Sequence, residues 1–160
     1  MNRKGLVKAL KCDRCFLIGH RDAPEAIYPM VLRAVEQHIQ LYGVVEFLVG
    51  RHGAFDRMAA RAVKQLKATC PAVRLILLLP YHPGERNVDL PEGFDGSLYP
   101  EGQETVPKRL AIVRANRYAA DHSGYLIAYA WQPGSNAGKM VEWAQKRKKT
   151  KITLIPKDGI

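Results

Sequence analysis

Four short stretches of this chain carry residue types able to do chemistry: Gly19-His20-Arg21-Asp22, Gly50-Arg51-His52-Gly53, Tyr81-His82-Pro83-Gly84 and Trp131-Gln132-Pro133-Gly134-Ser135-Asn136. Arg21 and Arg51 present planar donor forks suited to phosphate or carboxylate, although either could equally sit on an ordinary surface. Gly50 and Gly53 are expected to take backbone angles that other residues avoid, aiming peptide N–H groups into a cavity. A helix beginning near Ala54 adds unbonded amides and a partial positive charge, so turn and helix together read as an anion cradle. The plain alternative is two glycines turning a corner between a strand and a helix. Asp56, in the first turn of that helix, is explained by the helix dipole alone, worth ~0.3 to 1 kcal/mol, or it orients a ligand hydroxyl.

Three of the five histidines, His20, His52 and His82, follow three successive apolar runs. If those runs are neighbouring strands ~5 Å apart, the three rings can converge on one cavity. They would then form a pH-sensitive polar floor, or a metal site with Asp22 or Asp56; hydrogen bonding to the local backbone is the alternative, and no metal is expected. Glu142 lies off the apolar stripe of the last predicted helix, a position that could point it at the cavity; as a solvent-facing residue it needs no function.

The elements that must position these turns alternate along the chain. Cys15 to Gly19 reads as a short buried strand, and Ile27, Met30, Val31, Ala34, Val35, His38, Ile39 and Tyr42 form a helical stripe closed by Gly43. Val44 to Val49 reads as a buried parallel strand. Phe55, Met58, Ala59, Ala62, Val63 and Leu66 recur at the spacing of one helical face. Val73 to Leu79 is a third strand, and the turn-rich stretch to Pro107 is long enough for a lid or binding loop; the alternative is a surface excursion carrying a short strand near Ser97-Leu98-Tyr99. A helix over Lys108 to Asp121, a strand over Gly124 to Ala130, a helix with Ala137, Met140, Val141 and Ala144 on one side, and a strand at Ile152 to Ile155 complete the pattern. This predicts an α/β fold: a Rossmann-like open, mainly parallel sheet of about five strands with helices on both faces, three layers in all. In such sheets ligands gather beyond the carboxyl ends of the strands, where the winding reverses.

Composition agrees with one globular domain spanning residues 1–160, with 1–12 as a loose N-terminal arm. The chain has 160 residues, 47% hydrophobic and 25% charged, which excludes a disordered segment. No apolar run approaches the ~20 residues that cross a bilayer, and the N-terminal stretch lacks the apolar core of a secretory signal, so a cytoplasmic location and no membrane partner are expected. Cys12, Cys15 and Cys70 cannot all pair within the chain. Cys12-x-x-Cys15 lacks a second ligand pair at finger-like spacing, and Cys15 is expected to open the first strand as a small buried hydrophobe. The formal charge of +10 and pI near 9.7 favour anionic partners. Part of that excess is the run Lys146, Arg147, Lys148, Lys149 and Lys151, a solvated helix end favoured by the dipole.

With the turns in order, the chain resembles the SLOG superfamily, the Rossmann-like group that includes the DprA and LOG (lonely guy) proteins, and within it the small bacterial and phage branch typified by YpsA. The matching residues are Cys15-Phe16-Leu17-Ile18-Gly19-His20-Arg21, Phe47-Leu48-Val49-Gly50, Gly53-Ala54-Phe55-Asp56 and Ala59-Ala60. Val106-Pro107, Ala111-Ile112, Asn116-Arg117-Tyr118, Asp121 and Leu126-Ile127-Ala128-Tyr129 continue the match. The resemblance implies a pocket at the carboxyl edge holding a nucleotide-derived ligand, such as a nucleotide sugar, ADP-ribose or an NAD-like molecule, with no further cofactor required. Gly19, Arg21, Gly50, Gly53 and Asp56 would line it, with Asn116 and the turn around Gly134 to Gly138 opposite. Two departures stand out: Ala115-Asn116 replaces a common Arg-Asn, and Ser135-Asn136-Ala137 replaces a Gly-Gly-Thr or Gly-Gly-Ala phosphate loop. LOG enzymes hydrolyse nucleoside monophosphates with an arginine and a glutamate, of which Pro133-Gly134 and Glu142 give only a loose echo. DprA-type members bind single-stranded DNA partly through an arginine after the first strand, where this chain has Arg21.

The expectation is therefore a nucleotide-derivative-binding domain, for which a sensor role is admitted, with His20, Arg51, His52, Ser135 and Asn136 as further ligand contacts. A LOG-like phosphoribohydrolase and a DprA-like single-strand DNA binder are the alternatives. The partners admitted are a small nucleotide derivative, nucleic acid and a second copy of the chain.

Overall fold

The computed structural model describes residues 13–82, 84 and 89–158; the arm at 1–12, with Cys12, and Pro83 lie outside them. Six strands form one parallel sheet in the order β4-β3-β2-β1-β5-β6. They are β1 (Arg14–Gly19), β2 (Glu46–Val49), β3 (Arg74–Leu78), β4 (Gly96–Leu98), β5 (Tyr125–Tyr129) and β6 (Lys151–Leu154). Four helices, α1 (Tyr28–Tyr42), α2 (Ala54–Lys67), α3 (Ala111–Asp121) and α4 (Asn136–Arg147), connect them among the described residues. The sheet thus has one strand more than the five expected. The extra one is β4, the short strand anticipated near Ser97, which pairs with β3 from Ile76↔Gly96 to Leu78↔Leu98. The stretch after β3 therefore extends the sheet before turning through short 3-10 segments at Gln103–Thr105 and Lys108–Leu110.

Parallel strands need helical crossovers, and those crossovers cover both faces. Alternate residues of each strand consequently enter different cores. Cys15, Leu17, Phe47, Val49, Leu75, Ile127 and Tyr129 meet α1 and α2 on one side. Phe16, Ile18, Leu48, Ile76, Leu78, Leu126 and Ala128 meet α3 and α4 on the other. The stripes read from the sequence are the buried ones: Phe55, Met58, Ala59, Ala62, Val63 and Leu66 of α2 are all at most 8% exposed. Pro29 occupies the first turn of α1, where its missing N–H costs nothing, and Gly43 ends that helix at φ 70°. Cys15 is fully buried and its thiol is pushed up by that burial.

The amino edge of the sheet is closed by charge. Glu46 begins β2 inside an otherwise apolar run, buried beside Arg14 of β1 and Arg74 of β3 in the same register. Its carboxylate accepts from Arg14 Nε at 2.6 Å and from Arg74 Nη1 at 3.1 Å. Asp95 adds a second clasp, accepting from the Leu75 backbone N–H at 2.8 Å and from Lys67 Nζ at 2.5 Å. Glu46 is buried but its arginines reach solvent, so its removal forfeits two charge-assisted hydrogen bonds without stranding a buried charge. Glu46→Ala is expected to lower the unfolding free energy by about 2 kcal/mol in urea denaturation at neutral pH. A loss no larger than that of an ordinary surface substitution would show the triad to be dispensable.

Candidate functional site

Winding runs outward from β1 through β2, β3 and β4, then returns to lay β5 on the other side of β1. The reversal lies between β1 and β5, and the turns leaving their carboxyl ends must diverge there. A cavity of about 480 Å³ opens at that point. Gly19, His20, Arg21 and Asp22 from the first turn, Gly50, His52, Gly53 and Asp56 from the second, and Gln132, Ser135, Asn136 and Ala137 from the fifth line it. Asn116, Ile112, Val113 and Arg109 complete the wall from α3 and the segment before it.

The first two turns are pressed together. The Ala54 N–H donates to the Arg21 carbonyl at 2.8 Å, so the first amide of α2 is used by the protein rather than left for a ligand. A Cβ on Gly53 would lie 2.6 Å from Arg21 Cα, and one on Gly19 would lie 2.3 Å from the Phe55 ring. This corrects the reason expected for these glycines. Gly53 has φ −177°, an extended conformation open to any residue, and neither it nor Gly50 has positive φ. What the site requires of them is the missing side chain. Gly134 does adopt φ 77°; it shapes the β5–α4 turn without bordering the cavity.

His20 joins the two sides of the reversal. Its backbone N–H donates to the Tyr129 carbonyl at 3.1 Å, and its Nε2 accepts from the Gln132 N–H at 3.2 Å. The ring packs edge-on against Tyr129 and Trp131. Burial lowers its pKa against a weaker opposing pull from Asp22, so the neutral ring that accepts at Nε2 is the form present at neutral pH. The β5–α4 turn holds itself. Ser135 Oγ accepts from the Gly138 N–H at 3.0 Å and donates to the Gln132 carbonyl at 2.8 Å. Where the resembled family has glycines, this chain has a serine that caps its own helix, while Gly138 stays close-packed, 2.9 Å from the Gln132 carbonyl oxygen to a Cβ placed there.

The charge in the cavity is balanced rather than simply positive. Arg21 and Arg109 are offset by Asp22 and Asp56. Burial pushes the Asp56 carboxyl up to about 6, against the lowering effects of the His52 backbone N–H, Arg21 and Arg57. That N–H donates to Asp56 Oδ2 at 2.8 Å. His52 is lowered by burial and by Arg21 and Arg51, and its buried Nε2 has no hydrogen-bond partner among the described residues. A raised carboxyl and an unmet imidazole nitrogen beside one cavity are the kind of perturbation that collects at functional sites.

Three expectations do not survive the geometry. His82 does not converge with His20 and His52: it sits against Tyr99 in a separate hollow, its Nδ1 accepting from the Gly84 N–H at 2.9 Å. Among the described residues no three His, Cys, Asp or Glu side chains are placed to hold a metal ion. Arg51 faces a neighbouring groove over α2 instead of the cavity, because its turn is pinned by Asp56 on the cavity side. Glu142 is exposed on α4 and does not border the cavity; Met140, Val141 and Ala144 face the sheet and turn it outward. Arg109 went unnoticed in the sequence because it follows no strand; Pro107 and the 3-10 turn at Lys108–Leu110 bring it in.

No protein-family model matches the chain, and no curated protein matches it. Solved structures that share its fold include two DNA processing proteins. DNA processing protein A (DprA) from Streptococcus pneumoniae superposes with a TM-score of 0.65 at 17% identity over 92% of this chain and 51% of the other. A DNA processing protein A structure from Helicobacter pylori, described for its single-stranded DNA binding mode, superposes with a TM-score of 0.61 at 16% identity, over 97% of this chain and 69% of the other. The chain thus spans about half the length of the pneumococcal protein. The likeness establishes a Rossmann-like α/β fold in common with DprA structures.

The Asp56 shift has a definite sign. A carboxyl whose pKa rises from 3.8 to about 6 on folding holds its proton in the native state after the unfolded chain has released it. Its contribution therefore falls as pH rises between about 4 and about 6. Asp56→Asn is expected to flatten that part of the stability–pH curve and to raise stability at pH 7 by about 3 kcal/mol. Denaturation of both proteins across the range tests this; parallel curves would show that Asp56 titrates normally.

Proposed function

We propose that the switch-point cavity binds a phosphate of single-stranded nucleic acid. The observation that carries this reading is the position of Arg21, at the mouth of the cavity between the N-terminal turns of α2 and α4. Helix N-termini favour negative charge, and a guanidinium beside them adds bidentate donors. Arg109 faces the same space. The fold shared with a Helicobacter pylori protein described for single-stranded DNA binding supports the choice of polymer, as does the net charge of +10. Trp131 supports it too: 40% exposed, it stands edge-on to His20 at 5.6 Å beside the cavity, with Lys157 Nζ 4.3 Å from its ring centroid. An exposed aromatic next to a phosphate site is what base stacking uses.

A free nucleotide derivative, as in a YpsA-like member of the SLOG group, is the second reading. It is supported by the half-buried Asp56 carboxylate, which can accept from a ribose hydroxyl within a cavity of nucleotide size. The phosphoribohydrolase reading loses its named acid, since Glu142 points to solvent.

Fluorescence anisotropy with a labelled oligothymidylate separates the two. Single-strand binding is expected to weaken steeply with salt, and Arg21→Ala to lower affinity about tenfold, the loss of one charge-assisted contact of ~1.5 kcal/mol, with the melting temperature preserved. Salt-insensitive binding, or full competition by a mononucleotide, would move the cavity to the second reading.

A further inference from the structure

A second hollow, about 480 Å³ in volume, lies over α2 and borders the cavity across the Gly50–Gly53 turn: Gly50 and Asp56 line both. Its floor is apolar, formed by Ala60, Leu77, Pro91 and Phe94, and its walls carry Arg51, Arg57, Arg61 and Lys64. Among the described residues that line it Asp56 is the only carboxylate, and it faces the His52 N–H on the cavity side.

The placement of these cations is not what helix stability alone would select. Arg57 lies in the first turn of α2 and Arg51 just before it, where the helix dipole opposes positive charge. Both are exposed. Arg61 is steadied by Glu25 and stacks on Tyr28, 3.7 Å from the ring centroid. Lys64 Nζ lies 5.3 Å from the Phe94 ring centroid. Arg57, Arg61 and Lys64 recur at the spacing of one helical face, and the seven-residue step from Arg57 to Lys64 covers ~10 Å of helix axis. A row of cations along a concave, apolar-floored track, opening at one end into a phosphate cavity, matches the backbone of an extended polyanion better than a single small anion.

We propose that this groove is a second nucleic-acid site, carrying the phosphates of the strand that continues from the cavity, with Arg51 at the junction and Arg57 and Lys64 along the track. The inference rests on the single-strand reading of the cavity. It assigns that reading a polarity on the surface: the strand leaves over the β2–α2 turn and follows α2 toward Phe94, whose ring and the neighbouring Pro91 offer an apolar surface to a base. Arg51, which does not reach the cavity, thereby gains a role.

The test compares oligothymidylates of about 4 and about 16 nucleotides binding to the unaltered protein, to the double variant Arg57→Gln with Lys64→Gln, and to Arg21→Ala, each across a salt series. Both altered side chains of the double variant are exposed on the helix surface, and circular dichroism checks that it stays folded. The double variant is expected to bind the short oligomer as the unaltered protein does, to bind the long one about tenfold more weakly near 50 mM salt, and to lose about 1.4 from the slope of log K against log salt, ~0.7 for each phosphate contact. Arg21→Ala is expected to weaken both oligomers. Unchanged affinity and slope of the double variant for the long oligomer, with Arg21→Ala still defective, would overturn the groove and leave the cavity reading standing. Failure of the unaltered protein to bind either oligomer would overturn both.

Discussion

The site depends on how closely the first two strand–helix turns approach. β1 ends under the Phe55 ring, at a distance that no side chain on Gly19 could share. Arg21 then runs against Gly53, and the Arg21 carbonyl takes the first free amide of α2. These contacts make the start of α2 an extension of the first turn, so Arg21 and Asp56 keep a fixed relation to one another. Any chain with bulk at either glycine must part the turns, and the cavity wall parts with them. Phe55 serves both ends of this arrangement, belonging to the core while its ring roofs Gly19.

The two edges of the sheet divide stability from binding. At the amino edge Glu46 is held by arginines from both neighbouring strands, and Asp95 ties β3 to the end of α2. At the carboxyl edge the ionisable groups are not closed into pairs of that kind. Asp56 is desolvated and bonded to a peptide N–H, His52 keeps an unmet ring nitrogen, and Arg21 is exposed at the rim. Polar groups held without a full set of partners are costly for folding alone and useful to a site that a ligand completes. His20 prevents the opening from widening freely, since it bonds to the β5 end through its backbone and to Gln132 through its ring.

Electrostatics then distinguishes the cavity from the surface around it. Inside, Arg21 and Arg109 face Asp22 and Asp56, which suits a ligand offering both a phosphate and hydroxyl or base donors. Over α2 the balance is plainly positive, with a continuous apolar floor. A polyanion entering the first can use the second without crossing an acidic barrier, because Asp56 is the acid they share and its charge is already committed to the His52 N–H.

Much of this was legible in the residue pattern, because burial on both faces forces strands to be continuous apolar runs and helices to show one apolar stripe. Cys15 to Gly19 and the α2 stripe were recognisable in this way, Val44 to Val49 could by periodicity alone also have been a buried helix, and the alternation of the two periods pointed to a parallel sheet with its turns at one edge. That Arg21 and Asp56 face one hollow followed from the same rule about strand ends, whereas Asn116, inside a helix, was named only through the family resemblance. The sequence could not disclose what depends on distances between segments far apart along it. Gly53 is needed for the Arg21 backbone beside it rather than for a special dihedral, Arg51 and His82 turn away from the cavity, Glu142 is carried outward by the apolar face of α4, and Arg109 enters from a segment that follows no strand. Periodicity reports which side of an element is buried; only packing in three dimensions decides which neighbour that side meets.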